Sequence, residues 1–336
     1  MNTKGGRFFL LFLIIAISYI FLNWLFFIYR PLIPSSDTPR SFVFISGSSV
    51  RTLSLQLRQM KIVKQPSLLL LLAKMKGVDR LLQAGEYLID PGMTVGELLD
   101  KMARGESIRH VFTLVEGWTF DQVLAALNSN TYLEHTLTGL SNAEVMERIG
   151  HANEMPEGRF ATDTYVFSGK ISDLTVLRNA YSLMQKRLNE AWLNHDPNVP
   201  YTCSYKALIV ASLIEKETAV DSEKPRIAGV IIRRLNKGMF LGIDAAVIYG
   251  LGKNYSGKLT RQDLTVPTSY NTYLKKDLPL TPICMPGVAA INAALHPIYG
   301  TELYYVAKGD GTHVFSNTLE EHNRAVANLR RGKSRF

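Results

Sequence analysis

Apolar and polar positions alternate along this chain in three different ways, and each predicts a different element. From Phe8 to Tyr29 there is no alternation: FFLLFLIIAISYIFLNWLFFIY is uncharged throughout. As a helix it is long enough for a bilayer core, which needs about 20 apolar residues. The competing reading is a cleaved signal peptide, whose apolar region usually runs about 7–15 residues. The length of this run, its bulky aromatics and the lack of a small-x-small pattern before Arg30-Pro31-Leu32-Ile33-Pro34 favour an anchor. Tyr19, Trp24 and Tyr29 suit interfacial positions, and Trp24 fits the apolar core equally well.

The second pattern recurs three times between about residues 41 and 130. A short β-prone stretch leads to a Gly and then to a hydroxyl residue that opens an amphipathic helix: FVFISGSSVRTLSLQL, YLIDPGMTVGELLDKM and FTLVEGWTFDQVLAAL. Ser48 or Ser49, Thr94 and Thr119 are the expected N-caps. Glu97 and Gln122 stand three residues after Thr94 and Thr119, the spacing of a capping box. A further helix is expected over 66–75 and a strand at Gly85-Glu86-Tyr87-Leu88-Ile89. Before them, PLIPSSDTPR (residues 31–40) has the Pro and Ser content of a short stalk. The third pattern is helical. Leu174, Leu177, Ala180, Tyr181, Met184, Leu188 and Trp192 recur at helix spacing, and Asp196-Pro197-Asn198-Val199-Pro200 ends that run.

Composition narrows the class. The 336 residues allow about two ordinary domains, and with 46% hydrophobic and 20% charged residues a disordered chain is not the default reading. Lys4, Arg7 and the amino terminus precede the apolar run and Arg30 follows it, so the positive-inside rule leans toward a cytoplasmic N-terminus and an external remainder. A net charge of +9 suits an anionic partner such as a membrane surface or an acidic polymer, or simply solubility. Basic residues are not interleaved with aromatics, so no nucleic-acid partner is expected. Cys203 and Cys284 make no disulfide framework, and no bond between them is assumed. His313 and His322, nine residues apart, have no familiar metal-ligand spacing, and both read as structural or groove-edge residues. Gly311-Thr312 is not a phosphate loop; no metal or cofactor is expected.

The candidate chemistry lies between Ser204 and Ile248. Residues 205–218 are apolar almost all round, as in a helix buried in a core. At about 100° per residue, Ala207, Val210, Ala211 and Ile214 cluster with Leu213 beside them. Glu217 falls three and four residues after Ile214 and Leu213, on the flank of that cluster; Lys216 points the other way and Glu215 lies well off it. Removing water from a carboxyl raises its pKa and gives an acid able to donate near neutral pH, which glycoside cleavage requires. On helix geometry alone, a salt bridge from Glu217 to Arg226 or Arg233 is the simpler account.

Four segments change that balance: ASLIEKETAVDSE (residues 211–223), GVIIRRLNKGMFLGIDAAVIYGLG (229–252), TSYNTY (268–273) and LYYVAKGDGTHVFSNTLEEHNR (303–324). With LVEGWT (114–119) and Gly85-Glu86-Tyr87, their order resembles the endolytic murein transglycosylases, the MltG or YceG-like family, over almost the whole chain. The resemblance implies that the second Glu of Glu-Lys-Glu-Thr, Glu217, is the catalytic acid. It implies an endolytic lytic transglycosylase, a lyase that leaves 1,6-anhydro-MurNAc ends on nascent peptidoglycan, with peptidoglycan and its synthases as partners. Asp244, Tyr249, Tyr270, Asn271 and Thr272 match motifs that line the family's groove. Glu223 is a further candidate, although as a charge at a helix start, after a cap at Ser222, it has a plain structural role. Two loops depart from the family pattern. Phe160-Ala161-Thr162-Asp163-Thr164-Tyr165 lacks a proline before Asp-Thr-Tyr, and Asp277-Leu278-Pro279-Leu280-Thr281-Pro282 replaces a Gly-Leu-Pro-Pro-Gly-Pro type.

The expected architecture is α+β. A cytoplasmic tail (1–7) leads to a transmembrane helix (8–29), a linker (30–40), a small LysM-like βααβ module (41–112) and a mainly helical, lysozyme-like catalytic domain with short strands (113–336). The expected location is the inner (cytoplasmic) membrane, crossed once, with the catalytic domain on the periplasmic side. The alternatives are an anchored, non-catalytic glycan-binding scaffold, a plain spacer in place of the LysM-like module, and a muramidase that uses water.

Overall fold

The computed structural model of the chain describes residues 3–333. Residues 1–2 of the expected tail and 334–336 of the expected catalytic domain lie outside the described residues. Helices and strands are mixed along the chain, which divides into two units, 1–111 with 166–171, and 112–165 with 172–336.

In the first unit, helix α1 (Thr3–Tyr29) contains an apolar stretch, Phe8–Tyr29, long enough to cross a membrane. Its last turns do not stand free. Trp24, Phe27 and Ile28 pack on the unit's core, and Trp24 stacks on Phe27 at 6.2 Å between ring centroids. Strand β1 (Arg40–Phe44), helices α2 (Val50–Gln59) and α3 (Pro66–Met75), strand β2 (Gly85–Ile89) and helix α4 (Val95–Ala103) follow. β1 and β2 pair antiparallel with Phe42 opposite Tyr87, and Tyr87 and Ile89 point into the core as the period of two requires.

The caps expected from sequence are present. Ser49 rather than Ser48 accepts from Thr52 N–H, and Thr94 with Glu97 forms a full capping box. The stalk expected over residues 31–40 is in part docked. Leu32 N–H donates to Met93 O at 2.7 Å, Gly92 N–H donates to Ile33 O at 3.2 Å, and Ile33 is buried. An aliphatic pair between two prolines gains more by burial than by exposure.

Strand β3 (His110–Leu114) carries the chain into the second unit. Helix α5 (Phe120–Ser129), strand β4 (Leu133–Glu134), helix α6 (Asn142–Ile149), strands β5 (Asp163–Phe167) and β6 (Ile171–Ser172) and helix α7 (Asp173–Leu193) follow. Thr119–Gln122 closes the second expected capping box at α5. Then come α8 (Ser204–Glu217), α9 (Lys224–Asn236), α10 (Asp244–Leu251), α11 (Val288–Leu295), the hairpin β7 (Tyr304–Ala307) and β8 (His313–Ser316), and α12 (Leu319–Lys333).

Helix α8 is the centre of this unit: residues 207–214 are all buried, so it is enclosed on every side. α9 runs close by the segment after α11. An added Cβ at Gly229 would collide with the Ile298 carbonyl, while Ile298 N–H donates to Pro225 O at 2.9 Å.

Asp173 is fully buried and accepts from Thr136 N–H, Thr136 Oγ1, Leu137 N–H and its neighbour Leu174 N–H. Replacing it with Ala strands several donors away from water, at about 1–3 kcal/mol for each. Asp173→Ala is expected to cost at least about 3 kcal/mol, seen as a lower urea midpoint with an unchanged slope. A midpoint shift within error would remove Asp173 as the tie between α7 and 136–137.

Candidate active site

Glu217 is the last residue of α8, and the chain turns away at Thr218. Position on a buried helix fixes its backbone; the surrounding elements fix its electrostatics. Tyr305 from β7, His313 from β8, Arg234 from α9 and Asp244 from the start of α10 all act on its carboxyl. Protein atoms crowd the carboxyl, yet the residue keeps partial contact with solvent. Burial pushes its pKa up to about 7, and the Asp244 carboxylate adds to that, while the Tyr305 hydroxyl, His313 and Arg234 oppose it.

The nearby cations are engaged elsewhere. Arg226 and Arg233, the partners that helix geometry alone suggested for Glu217, both bind Glu302, at 2.9 Å and 3.1 Å. Arg234 donates Nε to Leu303 O and Nη1 to Leu241 O, each at 2.6 Å. Lys224, almost wholly buried, sits 2.8 Å from Asp221 and 3.5 Å from Glu215. Glu215 also accepts Gly287 N–H at 3.0 Å, so the two glutamates of Glu-Lys-Glu serve different ends: Glu215 in an ion-pair network, Glu217 without an ion pair among the described residues.

Glu223 stands at the start of α9, as expected, but without the expected cap. Ser222 does not cap α9; Glu223 occupies the N-cap position itself and its side chain caps nothing. Its carboxylate instead accepts from His313 N–H at 3.0 Å and pairs with His313 Nδ1 at 2.8 Å. Burial alone would raise its pKa, but the His313 bonds outweigh that and hold it below the ordinary value. The ring so fixed lies edge-on to Tyr305, 5.5 Å between centroids.

The other predicted residues fall into three groups. Asp244, exposed, accepts from Tyr273 Oη at 2.6 Å, close to Glu217. Asn271 and Thr272 are buried and bonded to backbone. Asn271 Nδ2 donates to Leu264 O and Val266 O, and Thr272 Oγ1 accepts from Ile243 N–H at 2.8 Å. They hold the loop that carries Tyr273 against the entry to α10. Tyr249 and Tyr270 form a separate edge-to-face pair at 4.8 Å. Tyr249 Oη donates to Glu157 at 2.9 Å, and Tyr270 Oη shares a hydrogen bond with Thr281 Oγ1 at 2.9 Å.

Sequence reasoning missed Tyr305, Tyr273 and Arg234, and it missed Glu157. Burial lifts Glu157 to about 7, against the opposing bonds from Phe120 N–H and Tyr249. Tyr305 lies in the segment Leu303–Arg324, where nothing local could tell which side chains meet Glu217. Cys203 and Cys284 are both free, the first exposed and the second buried. Among the described residues no cluster of His, Cys, Asp or Glu is arranged to hold a metal ion.

Comparison with known proteins gives a consistent result. The profile of the YceG-like family matches residues 42–328. The chain is 28% identical over 313 residues to the endolytic murein transglycosylase of Bacillus subtilis strain 168, covering 88% of this chain and 86% of that one. It is 24% identical over 330 residues to the endolytic murein transglycosylase of Streptococcus pneumoniae serotype 2, covering 88% of this chain and 60% of that one, so the chain spans less than two thirds of the streptococcal relative. A 2.6 Å crystal structure of a yceG-like protein from Listeria monocytogenes superposes with a TM-score of 0.52 at 27% identity, covering 86% of this chain and 100% of that one.

The raised pKa of Glu217 has a consequence for stability. The unfolded carboxyl ionises near 4.5 and the folded one near 7, so the folded state is penalised increasingly as pH rises from about 4.5 to 7 and stays so above. Glu217→Gln removes that penalty. The variant is expected to melt at about the wild-type temperature at pH 4 and a few degrees higher at pH 8; equal melting temperatures at both pH values would show that the carboxyl is not desolvated.

Proposed function

The chain belongs to the YceG-like family, and from that membership together with the setting of Glu217 we propose that it is an endolytic murein transglycosylase. It cuts the bond between N-acetylmuramic acid and N-acetylglucosamine within nascent peptidoglycan strands and so helps to end their elongation. The observation that carries the reading is a desolvated carboxyl with a pKa near 7, on a residue only partly buried and without an ion pair among the described residues.

Neutral Glu217 donates its proton to the bridging oxygen as the bond from C1 breaks. Its carboxylate then takes the proton of the muramyl C6 hydroxyl, which closes onto C1. The product is a 1,6-anhydro sugar and a free 4-hydroxyl, no water is consumed, and Glu217 is again the neutral acid. The reaction is therefore a lyase reaction acting on a polysaccharide, and it needs no second carboxylate as nucleophile or water base, unlike ordinary glycoside hydrolysis. Asp244 disfavours early ionisation of Glu217 and supplies negative charge facing the cationic transition state. The Tyr305 hydroxyl steadies the carboxylate between the two proton transfers, and Glu223 acts through His313 to hold the Tyr305 side of the groove. Tyr249 and Tyr270 contact sugar through their partly exposed rings. Asn271 and Thr272 position the Tyr273 loop.

The remaining roles extend the same reading. Residues 41–112 serve as a LysM-like glycan-binding module, supported by two helices between a pair of antiparallel strands. Residues 113–336 form the lysozyme-like catalytic domain. The apolar stretch of α1 anchors the chain in the cytoplasmic membrane, N-terminus inside and the rest outside, where the glycan and its synthases lie.

Purified glycan incubated with the full chain is expected to yield anhydromuramyl ends by mass spectrometry, and Glu217→Gln to yield at least about 100-fold fewer. For the wild type, kcat/KM is expected to be level below about pH 7 and to fall about ten-fold per unit above it as the acid is lost. Undiminished anhydro products from the variant would overturn the assignment. Reducing ends would identify a muramidase, and binding without release a scaffold.

A further inference from the structure

Within the first unit a cavity of about 280 Å³ opens beside the last turns of α1, lined among others by Asn23, Phe27, Arg30, Lys61, Lys64 and Gln65. That space far exceeds the roughly 30 Å³ a single water occupies. The lining holds three cations and no Asp or Glu. Arg30 follows directly on the apolar stretch of α1, and its guanidinium lies over the Phe26 ring at 5.3 Å. Lys64 and Gln65 lead into α3, whose N-terminal turn has no side-chain cap, so the positive end of its dipole adds to the potential at the same place.

Lys61 adds a different kind of evidence. It is the one non-glycine position with positive φ among the described residues, at 59°. The turn that ends α2 has Ile62 N–H donating to Leu57 O at 2.9 Å and Lys61 N–H donating to Arg58 O at 2.9 Å. This paired arrangement usually places Gly in the left-handed position. A lysine there carries a steric cost that Gly would avoid, and its side chain lines the cavity.

From these features we propose that the cavity is a binding site for the headgroup of an anionic phospholipid. The proposal rests on the reading that α1 crosses a membrane. In that case the cavity lies at the end of the apolar stretch, at headgroup depth, with Phe26 and Phe27 beside the start of the acyl chains. The three cations face the phosphate diester. A zwitterionic lipid offers the same phosphate but brings an ammonium group that finds no carboxylate among the lining cations; an anionic lipid brings no such group. Such attraction contributes up to several-fold in affinity per basic residue near the surface.

The test uses the full chain in neutral detergent, titrated with phosphatidylglycerol or phosphatidylcholine and followed by native mass spectrometry, alongside co-flotation with vesicles of each lipid. The wild type is expected to float with both vesicles and to retain phosphatidylglycerol about ten-fold better than phosphatidylcholine. Lys61→Gln with Lys64→Gln, both exposed positions, is expected to float equally well and to lose most of that preference. The control Arg51→Gln with Arg58→Gln, which removes the same charge from α2 outside the cavity, is expected to keep it. A chain that floats but shows no preference, or a control that loses as much as the cavity variant, would overturn the site while leaving the anchor in place. Displacement of the lipid by millimolar inorganic phosphate would identify a free-phosphate site instead and overturn the lipid assignment. A chain that floats with neither vesicle would overturn the anchor and the lipid site together.

Discussion

A carboxyl that ionises near neutral pH has to be kept dry without being given a cation, and in the second unit that requirement reaches well beyond Glu217. Burial raises the carboxyl's pKa, but a single well-placed guanidinium would lower it again. Arg226 and Arg233 are drawn to Glu302, Arg234 to two backbone carbonyls, and Lys224 to Asp221 and Glu215. His313 is held by Glu223. Each pairing is ordinary by itself. Together they leave one carboxyl on which a hydroxyl and a like charge act more strongly than His313 or Arg234.

That balance depends on a rigid frame. α8 is buried along residues 207–214, so the backbone of its C-terminal residue cannot shift without opening the core. Gly229 lets α9 approach the segment at Ile298 closely, which brings Arg233 within reach of the Glu302 carbonyl and carboxylate. Thr272 ties the Tyr273 loop to the entry of α10, and Tyr273 in turn holds Asp244. The surroundings of Glu217 and Asp244 are therefore held in place by residues such as Thr272 and Gly229, packed into the frame.

The first unit shows the same economy of means in another setting. The end of α1 is packed on the core through Trp24, Phe27 and Ile28, so the apolar stretch and the small αβ unit are joined by side-chain contacts as well as by the chain. The linker's docked start and the cationic cavity beside it follow from that packing.

Much of this was legible from local pattern. The apolar run, the caps at Ser49, Thr94 and Thr119, the helix over 66–75 and the buried helix ending at Glu217 all depend on interactions within about four residues, which periodicity and spacing report directly. The motif order pointed to the family, and helix phase singled out Glu217 over Glu215. What the sequence could not supply was the identity of partners far along the chain. Arg226 meets Glu302 across 76 residues and Glu223 meets His313 across 90, and Ser222 looked like a cap because a capping hydroxyl is recognised by its neighbours alone. The same limit applied to Asn271 and Thr272, whose bonds to the backbone at Leu264, Val266 and Ile243 no local pattern announced. Local chemistry sets which residues can ionise, cap or bury; only the tertiary structure sets which opposite charge lies nearest, because that depends on how distant segments close on one another, and the nearest charge decides whether a glutamate is an ion pair or an acid.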